Sequence, residues 1–137
     1  MIKAYIDASV KGDPGAAGAG ILLVNSKGQQ QHAFPLIGQY SNHQAEFAAF
    51  TALLELLLQE DCTQETVMVY SDSKVLVSTV DKNYTANPDF LSYLQEIQIK
   101  LPQFKLLILQ WIPEAKNKGA DNLARQGLKK ALRLQDR

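Results

Sequence analysis

The hydrophobic period of the chain changes near Ser41, and this change restricts the possible folds more than any other feature. Residues 2–7 alternate between apolar and polar types, which is the period of two of a half-buried strand. Residues 41–60 are nearly free of β-branched types and are apolar almost all round. They predict a helix that is buried against a sheet.

Three strands are expected before this change, at residues 2–9, 21–24 and 29–38. The segments "KGDPGAAGAG" and "NSKG" provide the turns between them. Such closely spaced strands form an antiparallel meander. The later elements are a helix at 41–60, a strand at 66–70, helices at 73–80 and 89–101, a strand at 104–112 and a helix at 119–134. Strand–helix–strand connections favour parallel pairing, so we predict an α/β fold with a mixed sheet and covering helices.

The 137 residues fit a single domain, 1–137, and their 46% hydrophobic and 20% charged content is that of a globular protein. We find no signal-peptide pattern and no apolar run long enough to span a membrane, so we expect a cytoplasmic protein without membrane contact. The single cysteine, Cys62, excludes an internal disulfide and a thiolate metal site.

Charge is balanced overall, with 14 basic and 14 acidic residues. The segment Lys116–Arg137 is locally basic, because it has seven basic residues and only Asp121 and Asp136 to oppose them. Either a solvated helix face or a phosphate-binding patch would explain this excess.

Four carboxylates stand where predicted elements meet: Asp7, Glu46, Asp72 and Asp121. Helix dipoles favour acidic residues in a first turn, which could explain Glu46 and Asp121. Asp72 could cap the helix that follows it. Asp7 has no comparable explanation, because strands avoid aspartate and a strand interior offers an unpaired carboxylate no compensating donors.

These carboxylates would meet if the first strand were central in the sheet. At ~4 Å, each pair would then repel by about 1 kcal/mol in water and by about 4 kcal/mol near a protein surface. Two divalent cations, held roughly 3.5–4 Å apart, would balance four such charges and suit phosphodiester chemistry. Oxygen ligands without cysteine or histidine clusters indicate Mg²⁺ or Mn²⁺.

Four segments, in this order, resemble the motifs of the ribonuclease HI family over essentially the whole chain. They are "YIDASVKGDPG", "SNHQAEF", "YSDSK" and "NKGADNLA". The resemblance implies a five-stranded mixed sheet of order 3-2-1-4-5 flanked by helices. It also implies hydrolysis of the RNA strand of RNA–DNA hybrids with two Mg²⁺ or Mn²⁺ ions and no obligate protein partner.

The family's site residues transfer to matching positions of this chain. The resemblance implies that Asp7, Glu46, Asp72 and Asp121 bind the metal ions and are catalytic. Asp7 would bridge both ions, Glu46 and Asp72 would hold one, and Asp121 the other. Asn42 would contact the minor groove of the hybrid, and the backbone near Ser9 and Gly12 would approach the RNA strand.

The chain departs from the family pattern in three places. The loop before the last helix has Glu114 and Lys116 where the family has a histidine. The basic protrusion of many bacterial members is reduced to "VDKNYTANPD". In the first loop, Ala8 replaces a glycine and Asp13 replaces an asparagine, which adds a negative charge near the expected phosphate path.

Two other functions stay open at this point. A non-catalytic module could keep the fold and bind hybrids without cleaving them, and a nuclease of the same fold could act on DNA junctions or flaps. Among the remaining residues, we expect Trp111 to lie in the core and His43 to pack at the start of its helix.

Overall fold

The computed structural model describes residues 1–136. Its elements are β1 (Ile2–Gly12), β2 (Gly15–Asn25), β3 (Gly28–Tyr40), α1 (Asn42–Gln59), β4 (Thr66–Ser71), α2 (Lys74–Lys82), α3 (Pro88–Lys100), β5 (Leu106–Trp111) and α4 (Lys118–Gln135). Short 3₁₀ turns at Leu101–Gln103 and Glu114–Lys116 precede β5 and α4. This is the element order that the sequence predicts.

The five strands form one mixed sheet in the order β3-β2-β1-β4-β5, which confirms the predicted fold class. β1 pairs antiparallel with β2 and parallel with β4, while β5 pairs parallel with β4. Tyr5 of β1 lies beside Tyr70 of β4. Asp7 and Asp72, each two residues further along, therefore emerge at the same end of the sheet.

Helices cover both faces of the sheet. The core on one face joins Ile6 and Ile21 of the sheet to Phe47, Phe50 and other apolar residues of α1 and α3. The alternate residues of β1 and β2 face the opposite way, and α4 packs there against β1, β2 and β3. Within residues 1–136, no helix has both the length and the apolar character needed to cross a membrane.

The largest boundary error concerns β2, which begins at Gly15 and not at Ile21 as predicted. The small residues of "GDPGAAGAG" belong mostly to the strand, and only Asp13 and Pro14 separate it from β1. The glycines are there because another backbone passes close by, which is a known reason for glycine inside a strand.

Glycines on both sides allow α4 to lie directly on β2. A Cβ atom at Gly18 would come within 1.9 Å of the backbone nitrogen of Leu128, and one at Gly20 within 2.4 Å of the carbonyl oxygen of Ala120. From the helix side, a Cβ at Gly127 would come within 2.5 Å of the Phe34 carbonyl oxygen. The obstructing atoms are backbone atoms and, at Gly20, also the Cβ of Leu123, so no rotamer change could make room.

This contact predicts that Gly18→Ala lowers the free energy of unfolding by about 2–3 kcal/mol, because the added methyl must push α4 away from the sheet. Gly119→Ala is the matched control, since its Cβ would meet only the end of the flexible Leu22 side chain, at 3.1 Å. Urea unfolding followed by circular dichroism measures both changes. Equal stability of the two variants would contradict the close-packing account.

Candidate metal centre

Three of the four predicted carboxylates meet at the end of the sheet. Asp7 (β1), Glu46 (α1) and Asp72 (after β4) each offer an oxygen, and these oxygens all lie within 4.8 Å of one another. The parallel pairing of β1 with β4 brings the two aspartates together. Glu46 reaches them because Ser41 fixes the start of α1 through a reciprocal capping box with Gln44.

Burial and mutual repulsion hold protons on this cluster. Asp7 is only 7% exposed. Its burial, followed by the charges of Asp72 and Glu46, raises the pKa of Asp7 to about 8, although a hydrogen bond from the Ala8 backbone opposes the shift. Burial and the Asp72 charge raise the pKa of Glu46 to about 7, against a hydrogen bond from Ser73. Without a cation nearby, the three carboxyl groups are therefore harder to ionise than free carboxyl groups.

Asp72 is free to face the other two carboxylates because it does not cap α2. The Ser73 hydroxyl does so instead, by accepting a hydrogen bond from the Leu76 backbone N–H at 3.1 Å. The capping explanation for Asp72 is therefore wrong. Burial raises the pKa of Asp72, and the neighbouring side-chain amide of Asn117 counteracts part of that increase.

Asp121 lies close to the cluster but is not among the three mutually adjacent groups. It stands in the first turn of α4, where its carboxylate forms an ion pair with Arg125 at 3.1 Å. Its charge nevertheless helps to raise the pKa of Asp7 and of Asp72. The side chain is thus near enough to interact electrostatically while Arg125 holds it.

Glu46 and Asp72 open into a cleft of about 440 Å³. Its other lining residues are Asn42, His43, Ser73, Lys74, Val75, Trp111 and Glu114. Glu114 is an additional acidic residue at this site, and its charge raises the pKa of both Glu46 and Asp72. In the sequence, Glu114 is notable only because it lies in the loop where the family has a histidine.

Trp111 is not the core residue that the sequence predicted. Its side chain is 39% exposed, because it lies at the end of the edge strand β5. The indole N–H donates to the carbonyl oxygen of Asp72 at 3.2 Å, and the Lys74 ammonium lies 4.9 Å from the ring centroid. The ring centroids of His43 and Phe90 lie 6.2 Å apart in an edge-to-face contact. This contact agrees with the prediction that His43 packs at the start of α1.

Of the predicted substrate-contact residues, one lies on the wall of the cleft and two lie further along β1. Asn42 is exposed and lines the cleft, and its backbone N–H donates to Asp13 Oδ1 at 3.3 Å. Ser9 shares a strand face with Asp7, two residues away, and Gly12 ends β1 with φ of +101°. The turn that carries Asp13 therefore contacts the helix end that carries Asn42.

Each basic residue that the structure describes in the segment Lys116–Arg137 is exposed. Arg137 lies outside the described residues. Two of these side chains have partners within the protein. Arg125 pairs with Asp121, and Lys130 donates to the carbonyl oxygen of Ala33 at 2.7 Å. Both explanations of this charge excess stay open.

The donor atoms of the cluster fit a divalent cation that prefers oxygen. Three carboxylate oxygens within 4.8 Å are available, and burial with repulsion makes their negative charge costly in the absence of a counter-ion. Mg²⁺ and Mn²⁺ accept such ligands. The Asp7, Glu46 and Asp72 carboxylates would hold the ion.

Comparisons with known proteins agree with this fold. The family model described as "Reverse transcriptase-like" matches residues 5–127. EbsB of Enterococcus faecalis, which is named as a hydrolase, is 43% identical over 130 residues, covering 95% of this chain and 96% of its own.

Two solved structures have the same fold. RNase H1 of the halophilic archaeon Halobacterium salinarum superposes with a TM-score of 0.84 at 28% identity, covering 95% of this chain and 98% of the other. LC11-RNase H1, isolated from compost, was solved in complex with an RNA/DNA hybrid. That complex superposes with a TM-score of 0.78 at 26% identity, covering 96% of this chain and 99% of the other.

The raised pKa values predict an unusual dependence of stability on pH. Asp7 binds its proton more tightly in the folded protein than in the unfolded chain, with a pKa of about 8 against 3.8. Unfolding therefore releases protons between these values, and the free energy of unfolding falls as pH rises from about 4 to about 8. Asp7→Asn should flatten this decline and make the protein more stable at pH 8 by about 2 kcal/mol or more.

Urea unfolding at pH 5 and pH 8, in the presence of a chelator, measures this effect. Glu65→Gln is the control, since Glu65 is an exposed acidic residue between α1 and β4. Added Mg²⁺ should stabilise the wild type at pH 8 more than it stabilises Asp7→Asn. If Asp7→Asn were less stable than the wild type at pH 8 without metal, the electrostatic description of the cluster would be wrong.

Proposed function

This chain belongs to the reverse transcriptase-like family and has the ribonuclease H fold, and from this we propose that it is a divalent-metal-dependent endonuclease that hydrolyses the RNA strand of RNA–DNA hybrids. One observation carries the proposal: Asp7, Glu46 and Asp72, distant in sequence, place their oxygens within 4.8 Å at the edge of an open cleft. The fold is shared with a ribonuclease H1 that was solved with an RNA/DNA hybrid.

Two ions are part of the proposal, although only three carboxylates are mutually adjacent. Glu46 and Asp72, together with Asp7, would hold one ion, and Asp121, together with Asp7, would hold the other. The chemistry supplied when Mg²⁺ or Mn²⁺ is bound is a lower pKa for the attacking water and stabilisation of the departing 3′ oxygen. The raised pKa values mean that these carboxylates must first lose their protons, so binding should strengthen toward pH 8.

Residues around the carboxylates would select and orient the hybrid. Asn42 lies on the cleft wall, where its side-chain amide would contact the minor groove. A contact to the 2′-hydroxyl there would distinguish RNA from DNA. Ser9 and Gly12, on the strand that carries Asp7, would present their backbone to the RNA strand.

A second candidate function follows from Glu114. This additional carboxylate lines the cleft and adds to the repulsion on Glu46 and Asp72, in a loop without the family's histidine. The added repulsion on Glu46 and Asp72, together with the absence of the histidine, would slow turnover. The chain would then act as a hybrid-binding module with little or no cleavage.

We propose that residues 1–137 act as a single domain without an obligate protein partner. The cytoplasmic location inferred from the sequence stays a prediction.

Hybrid cleavage by the wild type and by Asp72→Asn tests the proposed function. The substitution keeps the Ser73 cap of α2, so the fold should survive while the oxygen ligands are weakened. We expect at least about a hundredfold loss of cleavage, which is the upper range for loss of a group that supports a metal site. Asp81→Asn, an exposed change within α2, should retain wild-type activity.

The assay compares labelled RNA–DNA hybrid, duplex RNA, duplex DNA and a DNA junction, with Mg²⁺ or Mn²⁺. Cleavage of the hybrid alone, abolished by chelation, is the expected result. Hybrid binding that persists without cleavage would favour the binding module, and such binding should weaken steeply with salt. Cleavage of the junction but not of the hybrid would assign the chain to the DNA-directed nucleases.

A further inference from the structure

The side chain of Asn117 lies buried beneath the candidate metal centre. It is 1% exposed, and its amide nitrogen donates to the carbonyl oxygen of Ile6 at 2.9 Å, across 111 residues of sequence. Ile6 immediately precedes Asp7 on β1. This hydrogen bond therefore joins the residue before α4 to the strand that carries the most buried carboxylate of the cluster.

Asn117 also interacts with the other elements that form the cluster. Its side chain also lies next to that of Asp72. Its backbone carbonyl accepts from the N–H of Asp121 at 3.0 Å, in the first turn of α4. One residue thus contacts β1, the segment after β4 and the start of α4.

Asn117 does not make the capping hydrogen bond that an asparagine before a helix usually makes. Asn117 is the N-cap residue of α4, yet its side chain makes no capping hydrogen bond. Its Oδ1 atom is buried and has no donor among the residues that the structure describes. An unpaired buried polar atom is destabilising, so stability alone does not favour asparagine here.

We infer that Asn117 is a positioning residue, whose amide holds β1 against the start of α4 and so keeps Asp7 in place beside the carboxylates of Asp72 and Glu46. The inference rests on the proposed function, since it concerns metal binding by this cluster. Groups that orient metal ligands typically contribute ten- to a hundredfold to metal affinity. Asn117 would act in this way without contacting the ion.

Asn117→Ala and Asn117→Leu test the inference, because both remove the amide and Leu keeps a similar volume. Thr51→Val is the matched control: Thr51 is also buried, and its hydroxyl donates to the Ala48 carbonyl oxygen at 3.0 Å within α1. All variants would lose a buried hydrogen bond. Only those at position 117 would disturb the carboxylates.

Three measurements separate positioning from structural support. Urea unfolding with a chelator reports stability, calorimetric titration with Mn²⁺ reports metal affinity, and steady-state kinetics on hybrid separate kcat from KM. We expect Mn²⁺ affinity about tenfold lower or more in both Asn117 variants, and kcat reduced with KM little changed. Thr51→Val should lose stability while it binds Mn²⁺ within about twofold of the wild type.

Folded Asn117 variants that bind Mn²⁺ as tightly as the wild type would overturn the inference and leave the proposed function intact. A wild type that binds no Mn²⁺ would instead overturn the proposed function, and the positioning role with it. NMR of the wild type covers the case in which both variants fail to fold. The Asn117 side-chain amide protons should resist exchange and shift when Mg²⁺ is added, and signals that do neither would overturn the inference.

Discussion

The close approach of α4 to β2 is the constraint on which the geometry of the site depends. Gly18 and Gly20 on the strand and Gly127 on the helix leave no space for a Cβ atom between the two backbones. Asp7 pairs with Gly20 across β1 and β2, so the same contact sets the distance between Asp7 and the first turn of α4. A helix held further from the sheet by larger side chains would carry Asp121 and Asn117 away from the other carboxylates. The glycine-rich segment, which looks like a turn in the sequence, therefore contributes to the chemistry although it bears no functional side chain.

The cluster is an example of local stability given up for function. Asp7 is buried and Glu46 and Asp72 are half-buried beside it, and the pKa of Asp7 near 8 indicates that the fold favours the protonated form. A chain selected for stability alone would replace Asp7 with an apolar residue, since it stands in a central strand beside Ala8 and Ile6. The unpaired oxygen of Asn117 is a second cost at the same place. Costs that occur together at a cleft are typical of functional sites, where strain and unsatisfied groups are retained because they serve binding or catalysis.

The sequence predicts the element order and the chemical class of the site, because both follow from patterns that a strand or helix carries within itself. An aspartate in a strand signals the site, and the resemblance to ribonuclease HI supplies the strand order.

Contacts between distant segments are not encoded in such patterns. The start of β2 could not be predicted, because Gly15 to Gly20 take an extended form only when α4 lies on them. The sequence predicts a core position for Trp111, because an aromatic residue at the end of an apolar strand is usually buried. Trp111 is exposed instead, because β5 is an edge strand of the sheet. The contact of Asn117 with Ile6 depends likewise on tertiary structure. The pairing of Asp121 with Arg125 does not, because the two residues are four apart on α4 and helical spacing alone would indicate it.

The charge around the cleft bears on how a polyanion could approach it. Glu46, Asp72 and Glu114 line the cleft, with Asp7 and Asp121 nearby, while Lys74 is the one cation among its described lining residues. That ammonium already lies over the Trp111 ring. Without cations the cleft would repel phosphates, since like charges at this spacing interact by several kcal/mol near a protein surface, on the order of 4 kcal/mol at ~4 Å. On the proposed function, divalent ions would therefore serve for affinity as well as for reaction. Hybrid affinity in this chain should then depend on metal more strongly than it would in a chain with a basic cleft.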